Sequence, residues 1–245
     1  MENCEHIFFE NRNIYVYSDI RNEDVKLFLV NDGDMIKRVQ NNMFNKLEEN
    51  SENIIVVAIE PEDRFNEYTP WFQNSYVDRI DVFKGSGDDY LELLMDELVP
   101  YIEEKEDVEI KDKNIFLAGA SLGGLISSYG LLKYPKRLGG GIFVSSSYWY
   151  DGFLNYLSDS TCIDEDWLIY MDVGDKEKPG KITLFKDIVK ETQKVYEILL
   201  EKGVKEKNIN YRIQKDMGHN ESFFIDRIYN GIVWISSKGS IGDSD

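Results

Sequence analysis

Asn114-Ile115-Phe116-Leu117-Ala118-Gly119-Ala120-Ser121-Leu122-Gly123-Gly124-Leu125-Ile126 is the stretch on which the reading of this chain turns. A short apolar run ends in Gly-Ala-Ser-Leu-Gly and passes straight into a helical pattern. That is the form of a nucleophile elbow, G-x-S-x-G between a strand and a helix. The spacing has a physical reason. A tight, strained turn lifts the Ser121 hydroxyl above the sheet, and Gly119 and Gly123 fall where a Cβ would meet the neighbouring strand or helix. The helix that follows turns its N-terminal N–H groups toward developing negative charge. The N–H of Leu122, one residue after the serine, is placed to donate to an oxyanion.

The surrounding composition narrows the classes of function. The chain of 245 residues, 42% hydrophobic and 13% aromatic, is long enough for one large domain with a substantial core. No run of 18 apolar residues occurs, so no membrane span is expected. The acidic start, Met1-Glu2-Asn3-Cys4-Glu5-His6, lacks a basic region followed by an apolar one and does not read as a secretory signal. Cys4 and Cys162 suggest no disulfide framework, and a reducing cytoplasm is the expected location. A net charge of −18 argues against nucleic acid and anionic membrane surfaces as partners and reads mainly as solubility. His6 and His219 are the two histidines. Neither zinc-ligand spacing nor a phosphate-binding G-x-x-x-x-G-K-[ST] loop is present, so no metal or nucleotide cofactor is expected.

Outward from the elbow, strands alternate with helices. Ile7–Phe9 and Ile14–Tyr17, separated by residues 10–13, read as a β-hairpin. Val25–Val30 is a strand ending at the turn signal Asn31-Asp32-Gly33-Asp34, and a helix pattern runs from Met35 to about Glu49. The β-branched run Asn53–Ile59 predicts a strand buried on both faces. Residues 60–82 show no clear period and are rich in aromatic residues, which suggests a long loop beside a functional surface. Asp88 to about Lys105 is amphipathic, with Leu91, Leu94, Met95, Leu98 and Ile102 on one face and Pro100 placed to bend its last turn. The elbow helix runs to Lys133 and stops at Tyr134-Pro135. Gly141–Val144, Trp167–Val173 and Ile209–Gln214 read as strands. Thr183–Lys202 reads as a helix capped by Gly203, and a terminal helix runs to about Ile235. The order implies an α/β fold with a mainly parallel sheet, helices on both faces and an N-terminal antiparallel hairpin. With no linker, repeat or low-complexity block, a single domain over residues 1–245 is expected, residues 1–24 forming the hairpin region and 239–245 a frayed tail.

A serine hydroxyl needs a histidine to take its proton and a carboxylate to hold that histidine in one tautomer. His219 is the one histidine after the elbow, and it follows the last predicted strand. A Ser…acid…His order places the acid after the intervening strand, where Asp172, Asp175 and Glu177 cluster. Asp172 falls inside the strand and suits a structural role. Spacing does not choose between Asp175 and Glu177.

With these residues laid out, the chain resembles the putative esterase family of α/β-hydrolases. That family includes enterochelin esterase-like proteins, S-formylglutathione hydrolase, feruloyl esterase modules and the mycolyltransferases. The resemblance extends from about Val25 to Trp234. It is carried by Leu27–Asp34 as the first core strand and its Asp-Gly oxyanion loop, Arg64–Trp71 as the Arg-x-x-Glu-Tyr-Thr-Pro segment, and Asp96–Glu103 as a Glu-Leu-x-Pro-Tyr-Ile helix end. Ala118–Gly124 is similar to the elbow, Ser145–Trp149 to the aromatic stretch after the next strand, and Gly218–Glu221 to the histidine segment. The resemblance implies an α/β-hydrolase fold. It also implies that the acid stands three residues after the glycine closing its strand, which from Gly174 is Glu177, with Asp175 as runner-up. It implies Asp34 N–H as the second oxyanion donor, although the Asp34 side chain departs from the family pattern.

The implied activity is that of a serine esterase working through an acyl-enzyme on a small-molecule ester. Ser121 is the nucleophile, His219 the base and Glu177 the acid, and Leu122 and Asp34 N–H are the oxyanion donors. Trp71, Tyr148, Trp149 and Tyr150 are candidates for the substrate pocket, with ordinary core packing as their competing explanation. Acyl transfer to an alcohol, thioester hydrolysis, and a binding protein that has lost turnover are the alternatives on the same fold.

Overall fold

The computed structural model describes residues 4–51, 53–75, 82–177 and 188–238. In chain order the elements are β1 (Cys4–Phe9), β2 (Arg12–Asp19), β3 (Lys26–Asn31), α1 (Gly33–Asn50), β4 (Ile54–Ile59), α2 (Arg64–Glu67), β5 (Gln73–Asn74) and β6 (Val82–Phe83). They continue as α3 (Gly87–Glu92), a wide π-type turn (Leu93–Leu98), α4 (Val99–Glu106), β7 (Ile115–Ala120), α5 (Leu122–Lys133), β8 (Leu138–Val144) and α6 (Phe153–Asp159). The chain ends with β9 (Leu168–Gly174), α7 (Ile188–Glu201), a 3₁₀ turn (Glu206–Asn208), β10 (Ile209–Gln214) and α8 (Glu221–Ser236).

Eight strands form one sheet in the order β1-β2-β4-β3-β7-β8-β9-β10. β1, β2 and β4 pair antiparallel, and every pairing from β4 through β3 to β10 is parallel. The central strands are buried along their whole length. Their side chains alternate between two apolar layers. Leu27, Leu29, Ile55, Val57 and Leu117 face α3, α4, α5 and α7, while Phe28, Val30, Val56, Ala58 and Phe116 face α1 and α8. This is the mainly parallel, doubly covered sheet with an antiparallel start that the α/β pattern predicts.

Several boundaries moved, each for a physical reason. The hairpin turn is Glu10-Asn11 alone, both residues having positive φ (41° and 61°), so β1 and β2 extend further than their hydrophobic cores suggested. Arg12, read as part of the turn, is instead a buried strand residue paired with Glu67 at 3.2 Å. Strand β8 begins at Leu138, not Gly141, because glycine has no side chain to announce a strand. A Cβ on Gly139 would lie 1.8 Å from the Lys113 carbonyl oxygen. The amphipathic helix around Pro100 widens over Leu93–Leu98. There the Met95 carbonyl is taken up by Arg137 Nη1 at 2.8 Å. Within the aromatic loop of residues 60–82 lie α2 and the short β5–β6 pair, while residues 76–81 fall outside the described residues. The start of the predicted 183–202 helix and the 239–245 tail also lie outside them.

The order reverses at β3. The chain leaves β3 through α1 toward β4 on one side, and later strands add through β7 on the other. The helices that follow β3 and β7 lie on opposite faces, so the C-terminal ends of these two strands form the switch point of the sheet, the place where open α/β sheets bind ligands in a crevice.

Candidate active site

Ser121 closes β7 at that switch point with φ 57° and ψ −120°, a backbone conformation that is costly for a residue with a side chain. The turn is held by Ser121 N–H donating to the Val144 carbonyl at 3.0 Å and by Ser147 N–H donating to the Ser121 carbonyl at 2.9 Å. A Cβ on Gly119 would lie 2.5 Å from the Gly123 backbone, so the strand can turn into α5 only through glycine there.

His219 is carried by the loop between β10 and α8. Asn220 next to it caps α8, its side-chain oxygen accepting from Ser222 N–H at 3.0 Å. The imidazole Nε2 lies 3.1 Å from Ser121 Oγ and Nδ1 lies 2.8 Å from Glu177 Oε2. The ring rests edge-on against Phe224, with centroids 4.9 Å apart, and its side chain is 39% exposed. Glu177 sits on the loop after β9, which is pressed against the histidine loop. Lys176 N–H donates to the Met217 carbonyl at 2.9 Å, and a Cβ on Gly174 would lie 2.2 Å from that same oxygen. The glycine three residues before Glu177 is therefore needed to let the two loops meet. Asp175, by contrast, is exposed.

Glu177 is buried, which pushes its carboxyl pKa up. Hydrogen bonds from His219, Ser145 and Gly174 N–H, with the nearby imidazole charge, outweigh that burial and hold it below the usual value. An ionised Glu177 accepts from Nδ1–H and leaves Nε2 as the acceptor that faces the serine.

Leu122 and Asp34 lie in the first turns of α5 and α1, the helices that follow the paired strands β7 and β3. First-turn N–H groups have no acceptor inside their own helix. Asp32 immediately precedes α1, in the left-handed region at φ 61°. Its N–H donates to Tyr68 Oη at 2.9 Å, and its carboxylate accepts from Arg64 Nε at 2.6 Å and Nη2 at 2.9 Å. The Arg64–Trp71 segment thus braces the start of α1, which carries Asp34.

Of the aromatic candidates, Tyr148 and Tyr150 are fully buried. Tyr148 exchanges a hydrogen bond with Ser128 at 2.8 Å and stacks on Phe153, and burial pushes its pKa up to about 12. Tyr150 donates to the Trp71 carbonyl at 2.5 Å. Both are accounted for by core packing. Trp71 and Trp149 are only partly buried, and Trp71 donates from Nε1 to the Asp151 carbonyl at 3.0 Å.

Three site residues escaped the sequence reading. Ser147 Oγ lies 3.3 Å from Ser121 Oγ. Ser145 and the buried Arg227 both reach Glu177. Arg227 had a signal: it is a lone cation beside the apolar Phe224, Ile225, Ile228 and Ile232 of α8. Asp172, a lone acid in an otherwise apolar strand, is its partner.

A family model described as Putative esterase matches residues 10–234. The Bacillus subtilis protein YbbA, described as uncharacterized, is 34% identical over 185 residues, covering 76% of this chain and 74% of its own length. Among solved structures, the Shigella flexneri enterobactin esterase superposes with a TM-score of 0.72 at 20% identity over 95% of this chain. This chain spans only 59% of the length of the Shigella enzyme. The siderophore hydrolase EstA of Aspergillus nidulans superposes with a TM-score of 0.70 at 17% identity, covering 95% of this chain and 93% of its own. At such identities the two structures speak for the fold, which is that of the α/β-hydrolase esterases.

Proposed function

The chain belongs to the putative esterase family, and we propose from that premise that it is a serine ester hydrolase with Ser121, His219 and Glu177 as its triad. The observation that carries this reading is the continuous run Ser121 Oγ–His219–Glu177, with steps of 3.1 and 2.8 Å, at the switch point of the sheet.

In this mechanism His219 Nε2 takes the Ser121 proton as Oγ attacks the ester carbonyl. The tetrahedral oxyanion is met by the N–H groups of Leu122 and Asp34. Collapse breaks the C–O bond, and the proton on His219 passes to the leaving alcohol. Water then attacks the acyl-enzyme, gives its proton to His219 and frees the acid, and the proton returns to Ser121. Membership of the esterase family supports a small-molecule ester as the substrate. An ester bond of a siderophore is the class that the fold's neighbours support, since the Aspergillus protein is described as a siderophore hydrolase and the Shigella protein as an enterobactin esterase. Hydrolysis is favoured over acyl transfer by the exposure of the His219 side chain, which leaves the base open to water. We further propose that the chain acts as one domain in the cytoplasm.

The test is a panel of p-nitrophenyl esters of increasing acyl length combined with a serine-directed fluorophosphonate. Turnover with a single adduct on Ser121 is expected. Turnover that survives Ser121→Ala would overturn the assignment.

A further inference from the structure

We propose that Ser145 and Arg227 are positioning residues for ester cleavage, fixing the far oxygen of Glu177 so that its near oxygen stays on His219. The inference rests on the triad reading above.

A carboxylate on a flexible side chain can rotate, and only one of its oxygens serves the histidine. Glu177 Oε2 faces His219 Nδ1. Oε1 accepts from Gly174 N–H at 2.8 Å and from the Ser145 hydroxyl, and Arg227 Nη1 stands 3.7 Å from it. The direction of the Ser145 proton is forced. Arg227 Nη2 lies 2.7 Å from Ser145 Oγ, and a guanidinium can only donate. Ser145 therefore accepts from Arg227 and gives its single proton to Glu177, which as an anion can only accept.

Arg227 is itself held still. Its Nε lies 2.9 Å from Asp172 Oδ2 and its Nη2 2.5 Å from Oδ1, and Asp172 also accepts from Gln214 Nε2 at 2.9 Å. The guanidinium lies 5.7 Å from the centre of the Phe224 ring, the ring that backs His219. Asp172 and Ser145 are 0% exposed and Arg227 is 2%.

Two features argue against a mere anchor for α8. A buried ion pair seldom repays its desolvation, so packing alone gives little reason to bury Arg227 and Asp172 together. Ser145 is held at φ 45°, a costly conformation of the kind that gathers at functional sites, with its N–H on the Asp172 carbonyl at 2.8 Å. Both features are explained if the Asp172–Arg227 pair exists to orient one hydroxyl on the acid.

The test is a double-mutant cycle with p-nitrophenyl butyrate as probe, reading kcat, KM and the thermal midpoint. Ser145→Ala removes the hydroxyl. Arg227→Met combined with Asp172→Asn removes both buried charges together, so neither is orphaned. Each is made with Glu177 intact and in a Glu177→Ala background. With Glu177 present, Ser145→Ala is expected to lower kcat roughly tenfold while KM stays within about twofold, and the charge-pair variant to lower it at least as much. With Glu177 absent, both effects are expected to shrink to within about twofold, because groups that act as one unit are not additive. The same loss in both backgrounds, or an unchanged kcat with Glu177 intact, would overturn the proposal. If the charge-pair variant does not fold, Ser145→Ala alone decides. Failure of the triad reading shows separately, as turnover that survives Ser121→Ala.

Discussion

Asp175 and Glu177 share one loop, and the structure gives them different surroundings: Asp175 faces solvent, while Glu177 turns inward to meet His219 Nδ1 at 2.8 Å. Exchanging each carboxylate for its amide separates them. Glu177→Gln places a possible donor against Nδ1 and loosens the tautomer that leaves Nε2 free, so kcat is expected to fall about 100-fold or more, while Asp175→Asn stays within about twofold. Steady-state kinetics on the two variants checks this. The same carboxylate leaves a mark on stability. Its folded pKa lies below the usual 4.5, so its ionisation stabilises the fold fully above that value, and the contribution is lost as pH falls through the lower, folded value. Urea midpoints of the native protein and Glu177→Gln should therefore differ above about pH 4.5, and the native protein's advantage should shrink as pH falls below that value. At this scale the meeting of Ser121 and His219 was legible, because an elbow and a lone downstream histidine are local signals. Choosing Glu177 over Asp175 needed a family resemblance, since spacing cannot say which side chain turns inward. Arg227 and Ser145 were hidden because their partners lie 55 and 32 residues away.

Elements repeat that division between local and distant causes. The helix patterns and the buried strands were legible because periods of 3.6 and 2 are written into the apolar positions. The starts of β1, β2 and β8 were not, since turn polarity and glycine runs conceal strands whose pairing is settled by a neighbour. The Glu10-Asn11 turn offers a test. Both residues occupy the left-handed region, which glutamate adopts at a cost of about 1 kcal/mol or more and which Asn-Gly fits well. Replacing the pair with Asn-Gly is expected to stabilise the protein by roughly 1 kcal/mol, a rise of about 2–4 °C in the thermal midpoint, with kcat unchanged. Calorimetry and a kinetic assay on the same sample check both halves. Gly119→Ala works in the opposite sense. Its new Cβ has only the Gly123 backbone to meet at 2.5 Å, so the elbow must open, and the variant is expected to lose both its phosphonate labelling and several kcal/mol of stability.

For the whole molecule, alternation of strands and helices was enough to call a mainly parallel sheet, but not to place β4 between β2 and β3. That order depends on which side of β3 each returning strand pairs, a contest between distant segments that no local pattern records. It is nonetheless what brings β3 and β7 side by side and so sets the switch point where the elbow stands. The net charge of −18 bears on that site as a field, not as a set of contacts. Arg64, a partly exposed cation beside the start of α1, already gives two donors to Asp32. An anionic ester therefore approaches against the net field of the surface, whereas a neutral ester feels no net force. Because the Debye length falls from roughly 30 Å at 0.01 M salt to about 8 Å at 0.15 M, salt should remove most of that penalty. For an ester carrying a carboxylate, kcat/KM is expected to rise several-fold between these two conditions, through the association step. A neutral ester of the same acyl length should change by less than about 1.5-fold. Equal salt responses for the two esters would show that the charge of the surface does not reach the site and acts on solubility alone.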